Sequence, residues 1–276
     1  MYSPKDYWTN LAENLDSADG SGFAPILHPL APAWFNRAID NVQFRALRRG
    51  LAMATVPSGA RFLDVGCGTG RWIRRYSALG FSPVGVDATI GMLRTARAHQ
   101  TTIPLTAGLA YSLPFSDAVF DAISDITVVQ HIPYDLQRDA LREMVRVLRP
   151  GGRMILFELI RGQDSHIFPR QPRDWVRQAE DCGTSLIDWF GEEFFFPDRL
   201  FVRLAQIIFR PRANVSDRTH FAVPGSGSVD HSLARRLYWH IRRVTVALSA
   251  WSEPAVAKMF PASLATHAIF VFRKKL

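Results

Sequence analysis

A glycine-rich turn is the stretch of this sequence best suited to chemistry. Residues 62–65 are apolar apart from Asp64 and predict a short buried strand, and a helix is predicted from Arg71 onward. Between them lie Gly66, Gly68 and Gly70 in the pattern G-x-G-x-G. Glycine permits positive φ angles and lets a ligand approach the backbone closely. The N–H groups of the helix N-terminus point at the same place. The pattern predicts a nucleotide-type cradle, the alternative being a tight turn without a ligand.

A carboxylate follows about 20 residues later, at the end of a second predicted strand over residues 83–87. Asp87 is placed to accept hydrogen bonds from the hydroxyls of a ribose, as acidic residues do at this position in dinucleotide folds. A second interpretation is that Asp87 caps the helix predicted over residues 88–98.

The spacing of the glycines distinguishes two classes of nucleotide site. A dinucleotide fingerprint reads G-x-G-x-x-G, and its third glycine would fall at Arg71, one residue after Gly70. Asp64, just before the turn, suits a ligand that carries a cation rather than a pyrophosphate. An NAD(P)-dependent oxidoreductase therefore stays only as the alternative hypothesis.

Four stretches in register resemble the class I S-adenosylmethionine-dependent methyltransferases, in particular their small-molecule, type 11-like members. L-D-V-G-C-G-T-G at residues 63–70 is similar to motif I of that family, and D-A-T-I-G-M at residues 87–92 is similar to its D-x-S-x-x-M. The L-P-F at residues 113–115 and the L-R-P-G-G at residues 148–152 match two further motifs. Residues 120–132 also resemble the family's F-D-x-V stretch with its H-I ending.

The resemblance implies S-adenosyl-L-methionine as cofactor. It implies that Asp87 binds the ribose, that residues 88–92 border the adenine, and that residues after the fourth strand face the methionine part. Leu109 stands where the family has an acid that binds the adenine amino group, so we expect the backbone near Ala110 and apolar contacts to hold the adenine. The predicted cofactor-binding residues are Asp64, Gly66, Cys67, Gly68, Gly70, Asp87, Ala88, Thr89, Met92, Leu109, Ala110, Asp125, Ile126 and Gln130.

The same resemblance implies an α/β fold: a Rossmann-like seven-stranded sheet, parallel with an antiparallel last strand, flanked by helices and carrying a helical insertion before that last strand. Further strands are predicted at residues 105–109, 120–126, 153–159, 185–190 and 268–274. Pro150 should end the helix predicted over 134–148, and the glycines after it should allow a tight reversal.

The domain prediction divides the chain into four parts. Residues 1–40, rich in aromatic side chains, form either a lid over the cofactor or a segment packed outside the core. Residues 41–196 form the methyltransferase core, with an amphipathic helix leading into the first strand. Residues 197–262 form a helical insertion that caps the acceptor, and residues 263–276 form the closing strand.

The C-terminal helix carries an apolar stripe at i+3 and i+4 spacing. The stripe consists of Leu233, Leu237, Ile241, Val244, Leu248 and Trp251, with Arg235, Arg236, Arg242 and Arg243 pointing elsewhere. The pattern predicts a core-facing stripe under a solvated basic face. Attraction of the arginines to an anionic substrate carrier, or to an acidic membrane surface, is the functional alternative.

Composition excludes several classes of protein. The formal net charge is +8, but residues 197–276 hold 13 Lys and Arg against 4 Asp and Glu, so the basic character belongs to the C-terminal region and nucleic acid is an unlikely partner. The two cysteines, Cys67 and Cys182, and the lack of a signal-like or 18-residue apolar segment predict a reduced, cytoplasmic protein. The sequence has no paired Cys/His ligand spacing, so we expect no metal site.

These observations predict a methyltransferase acting on a small-molecule or carrier-linked acceptor, such as a sugar or polyketide hydroxyl. A hydroxyl acceptor benefits from a general base. His131 is the first candidate for that base, and a structural role for it is at least as plausible. His220, His231 and His267 are further candidates. A catalytically silent, methyltransferase-like partner subunit is the non-enzymatic alternative. The sequence leaves the oligomeric state undetermined. Six aromatic residues in the predicted lid and insertion region favour an apolar or ring-shaped acceptor pocket: Trp34, Trp189, Phe194, Phe195, Phe196 and Trp239.

Overall fold

The computed structural model describes residues 3–14, 31–99, 102–162, 166–209 and 232–276. The helices are α1 (Pro4–Asn14), α2 (Ala33–Ala54), α3 (Arg71–Ala78), α4 (Ile90–His99), α5 (Tyr134–Val147), α6 (Pro172–Asp181), α7 (Phe196–Phe209) and α8 (Ser232–Met259). The strands are β1 (Arg61–Val65), β2 (Ser82–Asp87), β3 (Leu105–Ala107), β4 (Phe120–Ile126), β5 (Leu148–Leu159), β6 (Thr184–Glu192) and β7 (His267–Lys274). Among the described residues, no helix has the length and hydropathy needed to cross a membrane.

The strands that the structure describes form one sheet in the order β3-β2-β1-β4-β5-β7-β6. β7 runs antiparallel to both of its neighbours, and the pairs among the first five strands are parallel. This confirms the predicted seven-stranded sheet with its antiparallel last strand. Val65 lies beside Val86 on one side and Asp125 on the other. The carboxyl ends of β1, β2 and β4 are therefore level, and the segments that follow them share one edge.

Apolar side chains on both faces of the sheet bury it between two layers of helices. On one face, Leu141 and Met144 of α5 and Trp175 of α6 join a core cluster with β4, β5 and β7. On the other face, Leu47 of α2 and Tyr76 of α3 join a second cluster with β1, β5 and β7. The sheet is thus a rigid support for the segments at its carboxyl edge.

Two local predictions differ from the structure. The stretch 149–152 is not a reversal before the fifth strand but part of β5, bulging out between the pairs Phe120–Leu148 and Ala122–Arg153, with Gly151 at a φ of 74°. β3 ends at Ala107 instead of at residue 109, because Leu109 folds back to pair with Ser112 in a tight turn. Neither change moves the ends of β1, β2 or β4.

Helices α7 and α8 connect the end of β6 to the start of β7, and both of those strand ends lie at the same edge as the glycine turn. The two helices are joined by Asp198 in the first turn of α7. Its carboxylate accepts hydrogen bonds from Arg242 Nε at 3.2 Å, Arg242 Nη2 at 3.0 Å and Thr245 Oγ1 at 2.9 Å. Arg242 and Asp198 are both buried. The insertion is therefore held together by a buried ion pair.

That ion pair reverses the predicted orientation of α8. The apolar stripe was expected to face the core, but its described members are exposed, including Leu237 at 56%, Val244 at 53% and Trp251 at 81%. Arg242, expected on a solvated basic face, lies inside at 1% exposure. Helical periodicity shows that a helix has two faces, but the face that turns inward was decided by Asp198, which is distant in sequence.

Breaking this pair should destabilise the protein strongly. Arg242→Ala leaves the Asp198 carboxylate buried without its cation, and such a loss costs about 3–5 kcal/mol of unfolding free energy. The neighbouring Arg243 is exposed, so Arg243→Ala should change the free energy by less than about 0.5 kcal/mol. Urea denaturation of both variants measures the difference. Equal effects would mean that Arg242 is solvated, as its sequence pattern predicted.

Candidate active site

The glycine turn after β1 adopts a conformation that its glycines make accessible. Gly66, Gly68 and Gly70 have φ angles of 67°, 52° and 79°, in the left-handed region that favours glycine. A Cβ atom on Gly66 would also lie 2.3 Å from Cγ2 of Val128. The turn is fixed to the sheet by a hydrogen bond from Cys67 N–H to the Val86 carbonyl, at 3.0 Å. The turn is thus held in place on the sheet.

Asp87, at the end of β2, receives hydrogen bonds from two backbone groups. Gly68 N–H donates to Oδ2 and Thr89 N–H donates to Oδ1, each at 2.8 Å. The Thr89 bond lies just before α4 and resembles helix capping, whereas the Gly68 bond joins β2 to the glycine turn. Each carboxylate oxygen can accept a further hydrogen bond. Asp87 therefore holds the turn and keeps acceptor capacity for ribose hydroxyls, which stays its predicted role.

Asp64 lies beneath the turn and has an oxygen with unused acceptor capacity. Its Oδ1 accepts a hydrogen bond from Ser124 Oγ at 3.0 Å, and Ser124 Oγ accepts one from the Tyr76 hydroxyl at 2.8 Å. Oδ2 is buried, and no hydrogen-bond partner for it exists in the described part of the chain. Burial raises the pKa of Asp64 to about 8. An ammonium group beside Oδ2 would satisfy that oxygen, so the site fits a ligand that carries both a cation and a ribose.

Arg71, which replaces the third glycine of a dinucleotide turn, ties the turn to α2. Its Nη1 lies 3.2 Å from Asp40 Oδ1 and 2.9 Å from Gln43 Oε1, and Arg75 pairs with the same Asp40 carboxylate. Arg71 is buried, and its pKa is lowered to about 10, mainly by burial. An arginine at this position thus anchors the N-terminus of α3 to another helix instead of leaving room for close helix–strand packing.

The segment after β4 is held by Glu158, a residue that the sequence-based prediction missed. Its carboxylate accepts hydrogen bonds from the N–H groups of Val128, Val129 and Gln130, at 3.0, 3.0 and 2.8 Å. The segment begins at Thr127, whose φ of 60° is unusual for a β-branched residue. The signal in the sequence was a single charge within the apolar run of residues 154–159.

Asp125 and Glu158 form a buried acidic pair beneath this segment. Both are fully buried, and burial raises the pKa of each, that of Asp125 to about 7. Two adjacent buried carboxylates cannot both ionise cheaply, so the pair retains a proton near neutral pH.

The side chains of the predicted binding residues Asp125, Ile126 and Gln130 are buried inside the protein. Asp125 and Ile126 are buried in the sheet, and Oε1 of Gln130 accepts a hydrogen bond from Leu159 N–H at 2.7 Å. A contact of these residues with the methionine part of a cofactor stays a prediction and would involve backbone groups.

His131 follows the same segment and lies in a group of aromatic rings. Trp8 of α1 meets its ring edge-on at 5.0 Å, His166 stacks on it at 5.4 Å, and Tyr7 stacks on His166 at 4.6 Å. His131 Nδ1 lies 3.1 Å from the carbonyl oxygen of His166, which can only accept a hydrogen bond. Nδ1 therefore carries the proton, and Nε2, which is 3.4 Å from Gln130 Nε2, carries the lone pair.

The remaining predicted residues lie in different surroundings. Cys67 packs with its thiol against Gly85, and burial raises the pKa of that thiol, which agrees with a turn residue rather than a nucleophile. Met92 is buried in α4, while Ala88, Leu109 and Ala110 are partly exposed near the ends of β2 and β3. His267 lies 2.7 Å from Glu193, at the start of β7. His220 and His231 lie outside the described residues.

The raised pKa of Asp64 gives a test of its environment. A carboxyl that keeps its proton up to about pH 8 when folded, and only to about pH 4 when unfolded, stabilises the fold fully below pH 4. That contribution to the free energy of unfolding falls as the pH rises from about 4 and is lost once the pH has passed about 8. Asp64→Asn should remove a slope of about 1.4 kcal/mol of unfolding free energy per pH unit between about pH 5.5 and 7.5.

Urea titrations across that pH range measure the slope. The exposed Asp139 provides the matched control, and Asp139→Asn should leave the slope unchanged. Parallel curves for wild type and Asp64→Asn would mean that Asp64 is ionised in the folded protein.

Known proteins with similar sequences include a methyltransferase-domain family and several methyltransferases. Residues 63–156 match the sequence profile of a family described as a methyltransferase domain. A demethylmenaquinone methyltransferase of Renibacterium salmoninarum is 36% identical over 125 residues, covering 45% of this chain and 52% of that protein. One of Paenarthrobacter aurescens is 33% identical over 138 residues, covering 49% and 54%. The chain spans about half the length of the curated relatives it matches.

Solved structures share the fold over nearly the whole chain. The 4+2 cyclase SpnF superposes with a TM-score of 0.61 at 18% identity, covering 100% of this chain and 98% of that one. A candidate sarcosine dimethylglycine methyltransferase from Galdieria sulphuraria has a TM-score of 0.60 at 17% identity, covering 98% of each chain. At such identities the likeness concerns the fold alone. The family profile, the curated relatives and the glycine turn on this sheet all support the similarity of residues 63–156 to the class I S-adenosylmethionine-dependent methyltransferases.

Proposed function

We propose that the protein transfers the methyl group of S-adenosylmethionine to a hydroxyl oxygen on a ring-shaped small molecule, free or linked to a carrier. The observation that carries this proposal is the placement of His131. Its ring, enclosed by Trp8 and His166, follows β4 at the same edge of the sheet as Asp64 and Asp87. A candidate base and a candidate cofactor cradle thus belong to adjacent strand ends.

The cofactor half of the proposal assigns three tasks to this chain. Asp87 would accept hydrogen bonds from the ribose hydroxyls, Oδ2 of Asp64 would face the amino group, and the backbone of the glycine turn would approach the nucleoside closely. When bound, S-adenosylmethionine supplies a methyl carbon that its sulfonium already makes electrophilic. The protein's remaining tasks are to align the acceptor, to exclude water and to take up a proton.

The acceptor half of the proposal rests on the tautomer of His131. Because the His166 carbonyl holds the proton on Nδ1, Nε2 is the nitrogen that accepts the hydroxyl proton as the oxygen–methyl bond forms. Such a base contributes about 10²–10⁴-fold in rate. Alignment of the acceptor can supply up to about 7–11 kcal/mol of barrier reduction in model systems. Alignment is therefore the larger contribution to the rate, and the base adds a smaller one.

The aromatic surroundings support a planar acceptor. Tyr7, Trp8 and His166 offer ring faces and edges to a flat molecule. The curated relatives are named for demethylmenaquinone, and by analogy we favour a hydroxylated quinone-type ring over a sugar.

The insertion would choose the acceptor. Trp239 of α8 contacts Trp34 and Phe35 of α2 at 6.1 and 6.0 Å between ring centroids, and α2 is tied to the glycine turn through Asp40 and Arg71. α8 thus packs on the helix that supports the cofactor cradle. We assign acceptor selection to residues 197–262 and lid function to α1, whose Trp8 lies against His131.

The alternatives differ in what they bind and turn over. An NAD(P)-dependent oxidoreductase is disfavoured by the early Gly70, by the buried Arg71 and by the antiparallel β7. A silent partner subunit would bind S-adenosylmethionine without turnover. The fold also occurs in a protein named as a cyclase, so the product must be identified by mass as a singly methylated acceptor, with release of S-adenosylhomocysteine.

Loss of the Asp87 carboxylate should abolish tight cofactor binding. Asp87→Ala removes both the ribose acceptor and the partner of Gly68 N–H, so calorimetry should show S-adenosylmethionine affinity weakened by about tenfold or more, equivalent to 1.4 kcal/mol. Asp139→Ala, on the exposed side of α5, should bind like the wild type. Wild-type affinity in a folded Asp87→Ala variant would remove Asp87 from the site.

Replacement of His131 should reduce turnover without affecting cofactor affinity. His131→Gln keeps a polar side chain but has no basic nitrogen, so kcat for a hydroxylated naphthoquinol acceptor should fall by about 10²–10⁴-fold. The exposed His99, changed to Gln, is the matched control. If kcat is unchanged and only the melting temperature falls, His131 is a structural residue and the base lies elsewhere.

A further inference from the structure

Helix α8 has an unusual distribution of side chains for a surface helix, because polar groups are buried beside Tyr238 and Val246. Its inward face holds Arg242, Ser249 and Glu253, each no more than 3% exposed. Its polar groups are satisfied there: Arg242 pairs with Asp198, and Glu253 accepts a hydrogen bond from Phe194 N–H at 2.7 Å. The buried face of the helix thus carries satisfied polar groups beside Tyr238 and Val246, and a row of apolar side chains faces outward.

The outward side is a continuous apolar stripe. Its residues follow helical spacing along α8 and are all exposed: Leu237 56%, Ile241 38%, Val244 53%, Leu248 50%, Trp251 81% and Met259 76%. At 1.5 Å per residue the stripe extends over about 33 Å. A single exposed leucine needs no explanation, but a stripe of this length indicates an interaction surface.

Among the α8 side chains that the structure describes, the exposed charges that border the stripe are positive. Arg236, Arg243 and Lys258 are exposed, and the one acidic residue of α8, Glu253, is buried on the opposite side. A second copy of the chain packed antiparallel through α8 would bring the arginines of both copies together without an exposed acid on the helix to pair with them. The charge pattern therefore disfavours self-association and is complementary to an anionic surface.

We propose that the outward face of α8 docks on the surface of an anionic lipid bilayer. Apolar side chains at the level of the acyl boundary, a tryptophan among them and basic residues at the rim are the features of helices that lie in the membrane interface. Basic residues near anionic lipid add to the attraction, and salt screens it. This docking goes beyond the methyl transfer proposed above and does not depend on it.

Vesicle co-sedimentation of the full chain tests the proposal. The wild type should bind phosphatidylcholine vesicles that contain phosphatidylglycerol, should bind pure phosphatidylcholine much more weakly, and should dissociate as salt is raised. The double variant Val244→Asp, Leu248→Asp should lose binding by about tenfold or more, and so should Arg236→Glu, Arg243→Glu. All four positions are exposed, so circular dichroism should show an unchanged fold.

Matched control variants show whether vesicle binding depends on α8 or on any exposed apolar or charged residue. Ile187→Asp places a charge on an exposed apolar residue of β6, and Arg142→Glu reverses an exposed charge on α5; both should bind vesicles like the wild type. Equal binding by the α8 variants and the wild type would overturn the proposal, as would absence of vesicle binding. A lipid-free dimer that Val244→Asp, Leu248→Asp dissociates would overturn it in favour of a second copy.

Discussion

Hydrogen bonds from backbone N–H groups to buried carboxylates are the interactions on which this candidate site depends. Two irregular segments leave the carboxyl edge of the sheet, and each is held by one acid from a neighbouring strand. Asp87 holds the glycine turn through Gly68, and Glu158 holds the segment that leads to His131. A buried N–H group left without its acceptor would carry a desolvation cost of about 1–3 kcal/mol, so these bonds hold their segments firmly. They fix each segment to the sheet, and the Val128 side chain of one segment lies against Gly66 of the other.

The same edge couples the core to the insertion. Arg71 links the glycine turn to α2, α2 packs on α8 through Phe35 and Trp239, and Arg242 of α8 pairs with Asp198 of α7. Each link is a buried polar pair or an aromatic contact, so the cofactor cradle and the helices above it are mechanically connected. That connection explains why α8 turns Arg242 and Glu253 inward: the ion pair with α7 and the hydrogen bond from Phe194 N–H to Glu253 both require it.

The sequence predicts the fold well because its signals are local. The glycine turn, the acid at Asp87 and the strand patterns act over a few residues, and together they determine the order and direction of the strands. The parts that were missed depend on distant partners. Glu158 looks like an isolated charge until β5 lies beside β4, and Arg242 looks solvated until Asp198 is placed next to it. His131 could be named from its position after β4, but the proton on its Nδ1 follows from the carbonyl of His166, 35 residues away.

The central claim is that the turn between β1 and α3 is a cradle for S-adenosylmethionine and not for a dinucleotide. Mass spectrometry of the ligand released from the purified protein, followed by equilibrium dialysis against S-adenosylmethionine and NADP, tests it directly. The structure leads us to expect S-adenosylmethionine or S-adenosylhomocysteine as the released molecule, with saturable binding of the first and none of NADP. Release or selective binding of a nicotinamide dinucleotide would contradict the claim.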